Sequence, residues 1–162
     1  FQAAAGLRVV HDLATVLLLA EGPLQFDRLA RSVASAFALT RLTDRVRERV
    51  RSALPKDAVL DGDTVWAHAA QRAAFTGFRG VGADGEAPRA AEELPPVELA
   101  NAMRWLLRQH QAIAAEDLAR ETARAFGITR LGAVVKDVMG AAIEGLVAVG
   151  QAVRDGELVR VV

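Results

Sequence analysis

Five arginines crowd one short stretch of this chain: Arg41, Arg45, Arg47, Arg49 and Arg51. A guanidinium is planar and permanently charged, and its fork of donors suits phosphate oxygens and the guanine edge. On a helix lying in the major groove, Arg41, Arg45, Arg47 and Arg51 would be the contacts to double-stranded or forked DNA. A helical wheel moderates that reading. Leu42, Val46, Val50, Ala53 and Leu54 form the buried arc, with Arg49 at its edge. Arg41 and Arg45 flank the arc on one side, Arg47 and Arg51 on the other. Asp44 and Glu48 occupy the middle of the exposed face, each three positions before an arginine, a spacing that lets opposite charges pair. Mixed-sign faces of this kind are also what solvated, salt-bridged helices carry.

Other reactive types are present without the company that chemistry requires. His11, His68 and His110 are scattered, with no second ligand at metal-binding spacing. Ser32, Ser35 and Ser52 fall within expected helices and lack a histidine–acid partner, which argues against nucleophilic catalysis. The glycine cluster GFRGVGADG (77–85) lacks the Gly-Lys-Ser/Thr ending of a phosphate loop and reads as linker. Glu92-Glu93 and Glu116-Asp117 stand at helix starts, where the helix dipole favours carboxylates. The residues therefore point to a non-enzymatic chain with no cofactor and no metal. Cysteine is absent, so there is no disulfide framework or thiolate chemistry, and a cytoplasmic home fits. Twenty basic and twenty acidic residues balance, so no global field draws nucleic acid or an anionic membrane. The apolar run VLLLA (16–20) is too short to span a bilayer. The chain begins at Phe1, which suggests a piece of a longer protein.

The element that positions the arginines occurs twice. Residues 29–54 and 118–143 align at a constant offset of 89, with 11 of 26 positions identical, among them Leu29/Leu118, Phe37/Phe126, Thr40/Thr129 and Arg41/Arg130. Duplication at a fixed period determines architecture before any motif is weighed. In the first copy, apolar spacing predicts helices over about 7–21, 27–38 and 41–54, with Gly22-Pro23 and Pro55 as stops and Thr40 as an N-cap. Asp61-Gly62-Asp63, between Ala58–Leu60 and Thr64–Trp66, predicts a hairpin. In the second copy, helices are expected from Pro95-Pro96 to about Gln111, from Glu116 to Phe126, and from a Thr129 cap to about Val149, followed by a hairpin around Asp155-Gly156. Three helices and a hairpin make a winged helix. The expected fold is thus mainly α with small β-hairpins, as two tandem winged-helix (helix-turn-helix) units: 1–68, a connector at 69–94, and 95–162. The apolar start of the connector, Phe75 and Phe78, would dock on a unit, and its centre would be mobile. Trp66 and Trp105 are expected in the core.

The copies are not equivalent chemically. The third helix of the second copy shows apolar residues around a wide arc, including Val134, Val138 and Leu146, and only Lys136 is basic beyond Arg130. An arc wider than one face implies burial on two sides, so Val134, Val138 and Leu146 are the expected protein interface, to the parent protein or in a homodimer. Both wing tips are acidic, Asp61/Asp63 and Asp155/Glu157, where a DNA-gripping wing would carry Lys or Arg.

Residues 95–161, with ELANA (98–102), DLARE (117–121) and FGITRL (126–131), together with 21–50, resemble the uncharacterised domain near the C-terminus of very large bacterial superfamily 1-type DNA helicases. Those proteins often also carry a nuclease domain resembling very-short-patch-repair endonucleases. The resemblance implies an accessory, DNA-assisting region of a helicase-like parent whose other domains are its partners. It carries over no catalytic residue. Ala133 and Val134 stand where relatives look more polar or basic, a departure that weighs against DNA contact through the second copy. The alternative is a protein-interaction module.

Overall fold

Gly22 and Pro23 end the first helix: the Gly22 N–H closes the last turn on the Leu18 carbonyl (3.0 Å), and Pro23 has no N–H with which to continue. From such punctuation the computed structural model, which describes residues 4–81 and 88–162, builds two units, Phe1–Phe75 and Thr76–Val162. Unit 1 contains α1 (Ala4–Glu21), β1 (Leu24–Gln25), α2 (Phe26–Ala36), α3 (Asp44–Ser52), β2 (Val59–Asp61), β3 (Thr64–Trp66) and α4 (Ala69–Ala74). Unit 2 has a 3-10 turn (Ala91–Glu93), α5 (Pro96–His110), β4 (Ala112–Ala114), α6 (Ala115–Ala125), α7 (Ala133–Ala148), β5 (Ala152–Asp155) and β6 (Leu158–Val161). The molecule is mainly helical with small antiparallel sheets. No helix among the described residues is long and apolar enough to cross a membrane.

Each sheet has three strands, one more than the hairpins foreseen from sequence. The order is β1–β3–β2 in unit 1, with Leu24 opposite Val65 and Val59 opposite Trp66. In unit 2 it is β4–β6–β5, with Ile113 opposite Val159 and Asp155 opposite Leu158. Strands of two or three residues carry no alternation to detect, so β1 and β4 were invisible to periodicity. Both hairpins turn through glycines with positive φ, Gly62 (58°) and Gly156 (60°). The hairpin tips also reach back to the starts of α2 and α6: the Asp63 carbonyl accepts the Phe26 N–H and the Glu157 carbonyl accepts the Ala115 N–H, each at 2.8 Å. These bonds satisfy donors that helix starts leave orphaned.

Helix ends shift relative to the sequence reading. Thr43, not Thr40, caps α3, its hydroxyl accepting the Val46 N–H at 3.3 Å. Gly132, not Thr129, precedes α7. The turn into α3 is longer than expected because α2 closes on a left-handed residue, Ala38 (φ 57°), and the Leu39 N–H returns to the Ala34 carbonyl at 3.0 Å. Gly127 (φ 77°) and the Ile128 N–H to the Ala123 carbonyl (2.9 Å) repeat this in unit 2. Gly140 and Gly145 leave α7 unbroken.

Within the expected connector at 69–94, two short segments form regular elements, Ala69–Ala74 and Ala91–Glu93. Ala69–Ala74 is α4 of unit 1, and Phe75 packs edge-on against buried Trp66, ring centroids 5.5 Å apart. Residues 76–81 and 88–94 belong to unit 2, where Phe78 meets Trp105 and Phe126. Most of the expected mobile centre, 82–87, lies outside the described residues. Trp105 is a correction to the expected core, being half exposed with Phe78 on one side. The unit 1 core joins Val10, Ala14 and Leu18 of α1 to Leu29, Val33, Val50 and Val65. Its counterpart in unit 2 joins Leu99, Met103 and Leu107 to Leu118, Met139, Ile143 and Val159.

Candidate functional site

Of the four arginines expected to reach nucleic acid, two are engaged within unit 1. Arg47 grips Asp27 of α2 in a fork, Nε to Oδ1 at 2.9 Å and Nη2 to Oδ2 at 3.0 Å, and its Nη1 donates to Asp44 Oδ1 at 3.0 Å. Hydrogen bonding from Arg47 is the main reason the Asp27 carboxyl is held below its ordinary range, against a smaller opposing effect of burial. Arg51 lies over the Phe26 ring, its guanidinium carbon 4.4 Å from the centroid. Arg45 is exposed on α3, while Arg41 is exposed in the turn before α3 rather than on it. Asp44 and Glu48 are exposed between them. The α2–α3 turn also borders a cavity of about 540 Å³ lined by Arg31, Ala34, Ser35, Ala38, Leu39, Thr40 and Leu42.

Several charges in unit 2 pair in the same way. Arg120 pairs with Glu116 (3.2 Å) and Asp117, Arg124 with Glu121 (2.8 Å), and Arg154 with Glu144. Lys136, which takes the repeat position of Arg47, borders a cavity of about 200 Å³ together with Glu116, Glu144 and Arg154. At the unit 1 hairpin, Arg72 of α4 binds Asp61 at 2.7 Å.

The apolar candidates separate. Val134 is 50% exposed and offers surface. Val138 is partly buried and packs on the unit's own core. Leu146 is 2% exposed within that core, which corrects its placement at an interface. One turn of α7 separates inward from outward, and the wheel could not decide which edge of a wide arc faces in. A larger apolar surface lies elsewhere, on α1, where Val9 (53%), Val16 (62%) and Leu19 (60%) are exposed. The signal in the sequence was the apolar excess of 9–20, which goes beyond the single stripe that the unit 1 core occupies.

A buried ionic cluster also escaped the sequence reading. Glu98, in the first turn of α5, is fully buried and accepts from the Arg79 N–H (2.8 Å), Arg79 Nε (3.2 Å), Arg89 Nη1 (3.0 Å) and Arg89 Nη2 (2.9 Å). Burial pushes its carboxyl up, but hydrogen bonds from Arg89 and Arg79 more than offset this and hold it below the ordinary range. Arg89 Nη2 also donates to the Arg79 carbonyl at 2.6 Å. The cluster fastens the segments on either side of 82–87 to α5. All three members are held by one another, which gives them a packing role.

The histidines are in structural positions. His11 Nδ1 lies 3.0 Å from the Ala53 carbonyl, and His68 Nδ1 accepts the Gln71 N–H at 3.1 Å as the cap of α4. His110 is exposed in the last turn of α5. The Ser52 hydroxyl donates to the Arg49 carbonyl at 3.0 Å. Among the described residues, no group of three or more acidic or imidazole side chains could hold a metal ion. Comparison of the chain with family models, with curated proteins and with solved structures finds no match in any of the three.

Proposed function

We propose that this chain is a non-catalytic pair of winged-helix units that works chiefly by docking other protein segments, as an accessory part of a larger protein. The observation that carries the reading is the contrast between charged and apolar surface in unit 1. Arg47 and Arg51 are occupied by Asp27 and Phe26, whereas Val9, Val16 and Leu19 stand in water. Exposed apolar side chains grouped on one helix face mark interaction surfaces more often than scattered ones do. The helix order and three-stranded sheets of both units support the winged-helix reading. Resemblance to the terminal region of helicases supplies the proposed setting, a DNA-processing parent.

A second reading has its own support: Arg41 and Arg45 are exposed and adjoin the α2–α3 turn. In that reading unit 1 assists the parent by touching backbone phosphates of duplex or forked DNA. Fluorescence anisotropy with short duplex and forked DNA separates the two. Docking predicts no saturable binding even at low salt, where charge attraction is least screened. Saturable binding that weakens steeply with salt, and is lost in Arg41→Glu/Arg45→Glu, would replace docking by phosphate contact.

A further inference from the structure

Unit 1 fills a space that unit 2 leaves open. The Phe26 ring at the start of α2 is buried, and the Arg51 guanidinium of α3 lies over it, 4.4 Å from its centroid. At the repeat offset of 89 their places are taken by Ala115 and Gly140. A methyl and a hydrogen do not fill what a phenyl ring and a guanidinium fill, and a Cβ added at Gly140 would meet nothing within 4 Å. The result is the cavity of about 200 Å³ between α6, α7 and β5. Every residue lining it lies between Ala115 and Arg154, within one unit.

The lining defines what fits. Ala119 and Ile143 are buried, whereas Glu116, Lys136, Glu144 and Arg154 are exposed, so an apolar interior opens through a charged rim. Both rim acids already hold an arginine, Glu116 with Arg120 at 3.2 Å and Glu144 with Arg154. Lys136 forms no ion pair among the described residues. In unit 1 the same position is Arg47, which is closed on Asp27 at 2.9 Å; in unit 2 Glu116 stands in place of Asp27 and turns to Arg120 instead. An incoming anion would therefore find one cation unclaimed. Size sets the rest: an apolar cavity of about 150 Å³ holds one benzene ring, so this one has room for a single ring with a small substituent.

We propose that this cavity binds a ligand carrying one aromatic ring and a carboxylate. The ring lies against Ala119, Ile143 and the bare backbone of Gly140, and the carboxylate pairs with Lys136. A free aromatic acid and a protein chain ending in phenylalanine share this chemistry. The site lies in unit 2 and does not rest on the docking surface of α1.

Titration of the full chain with phenylacetate, followed through the methyl shifts of Ala115, Ala119 and Ile143, tests the assignment. Benzyl alcohol is the uncharged ring, and the peptide Gly-Gly-Phe is the second carboxylate. Ala115→Phe/Gly140→Arg refills the cavity as unit 1 does. Expected is saturable binding of phenylacetate that moves those methyls. It should weaken at least about tenfold in the refilled variant, where the ring loses its burial. In Lys136→Met it should weaken about threefold, the worth of one exposed ion pair. Tighter binding of Gly-Gly-Phe than of phenylacetate assigns the ligand to a protein C-terminus, and the reverse assigns it to a free acid. No saturable binding of either carboxylate, binding that the refilled variant retains, or benzyl alcohol matching phenylacetate overturns the proposal. Circular dichroism verifies that the variants fold; should the refilled one not, phenylacetate that binds the native chain without moving the three methyls overturns the site.

Discussion

Replacing Glu98 by glutamine removes the charge at the centre of the buried cluster in unit 2 and keeps its shape. Arg79 and Arg89 would then face a neutral amide that offers one acceptor oxygen instead of two. The Arg89 side chain is only 14% exposed, so water reaches it poorly; Arg79, at 34%, can rehydrate in part. Removing one partner of a buried ion pair costs about 3–5 kcal/mol, and partial rehydration of Arg79 places Glu98→Gln near about 3 kcal/mol. In a domain of this size each kcal/mol moves the midpoint by roughly 4–8 °C, so a fall of about 12–24 °C is expected. Thermal unfolding followed by circular dichroism at pH 7 reads the size. Hydrogen exchange by mass spectrometry locates it, with faster exchange in α5 and in the segments around Arg79 and Arg89 and unchanged exchange in α2. The sign with pH follows from the lowered carboxyl. Its contribution is complete above the unfolded-state value of about 4.3 and is lost as pH falls through the lower folded value. The gap between native chain and variant should therefore close progressively below about pH 4. A midpoint fall at pH 7 under about 4 °C, or a gap that persists undiminished in acid, would refute the view that the cluster is a net stabilising tie.

The left-handed turns predict opposite effects at equivalent positions. Gly127→Ala would place a Cβ 2.2 Å from Val81 Cγ2 and 3.2 Å from Pro88 Cβ at φ 77°, so unit 2 should lose at least about 1–2 kcal/mol in chemical denaturation. Ala38→Gly relieves a Cβ held at φ 57°, and a gain up to about 1 kcal/mol is expected in unit 1; a loss there would contradict the strain argument. Leu146→Ala should destabilise unit 2 by about 2–5 kcal/mol, whereas Val134→Ala on the same helix should change stability by less than about 0.5 kcal/mol. Equal effects at both positions, by urea titration, would mean that α7 is rotated relative to this description. Asp27→Asn should weaken unit 1 by no more than about 1 kcal/mol, because the Arg47 pair is part-exposed, and the same variant frees Arg47: DNA affinity gained on that substitution would favour the phosphate-contact reading.

Much of the architecture was legible in the sequence. The repeat of 29–54 in 118–143 pointed to a common element plan, and α2 (Phe26–Ala36) and α6 (Ala115–Ala125) do begin and end at equivalent positions, where the sequence reading ends them at Ala38 and Phe126. Apolar spacing located the three longer helices of each unit but not α4, and Asp-Gly pairs located both hairpin turns, because these signals are local: they arise from the period of the helix and the freedom of glycine. What sequence could not supply were contacts between residues far apart in the chain. β1 and β4 exist only because β3 and β6 offer edges on which two or three residues can pair. Arg47 looked free for a phosphate until α2 brought Asp27 into its fork. Nothing local singled out Glu98, because Arg79 and Arg89 close over it only in the folded unit. Leu146 and Val134 belong to one apolar arc, and only the seating of α7 on its core sends the first inward and the second to water. Local propensity chooses the elements; which side chains remain available to a partner is decided by what tertiary packing has already used.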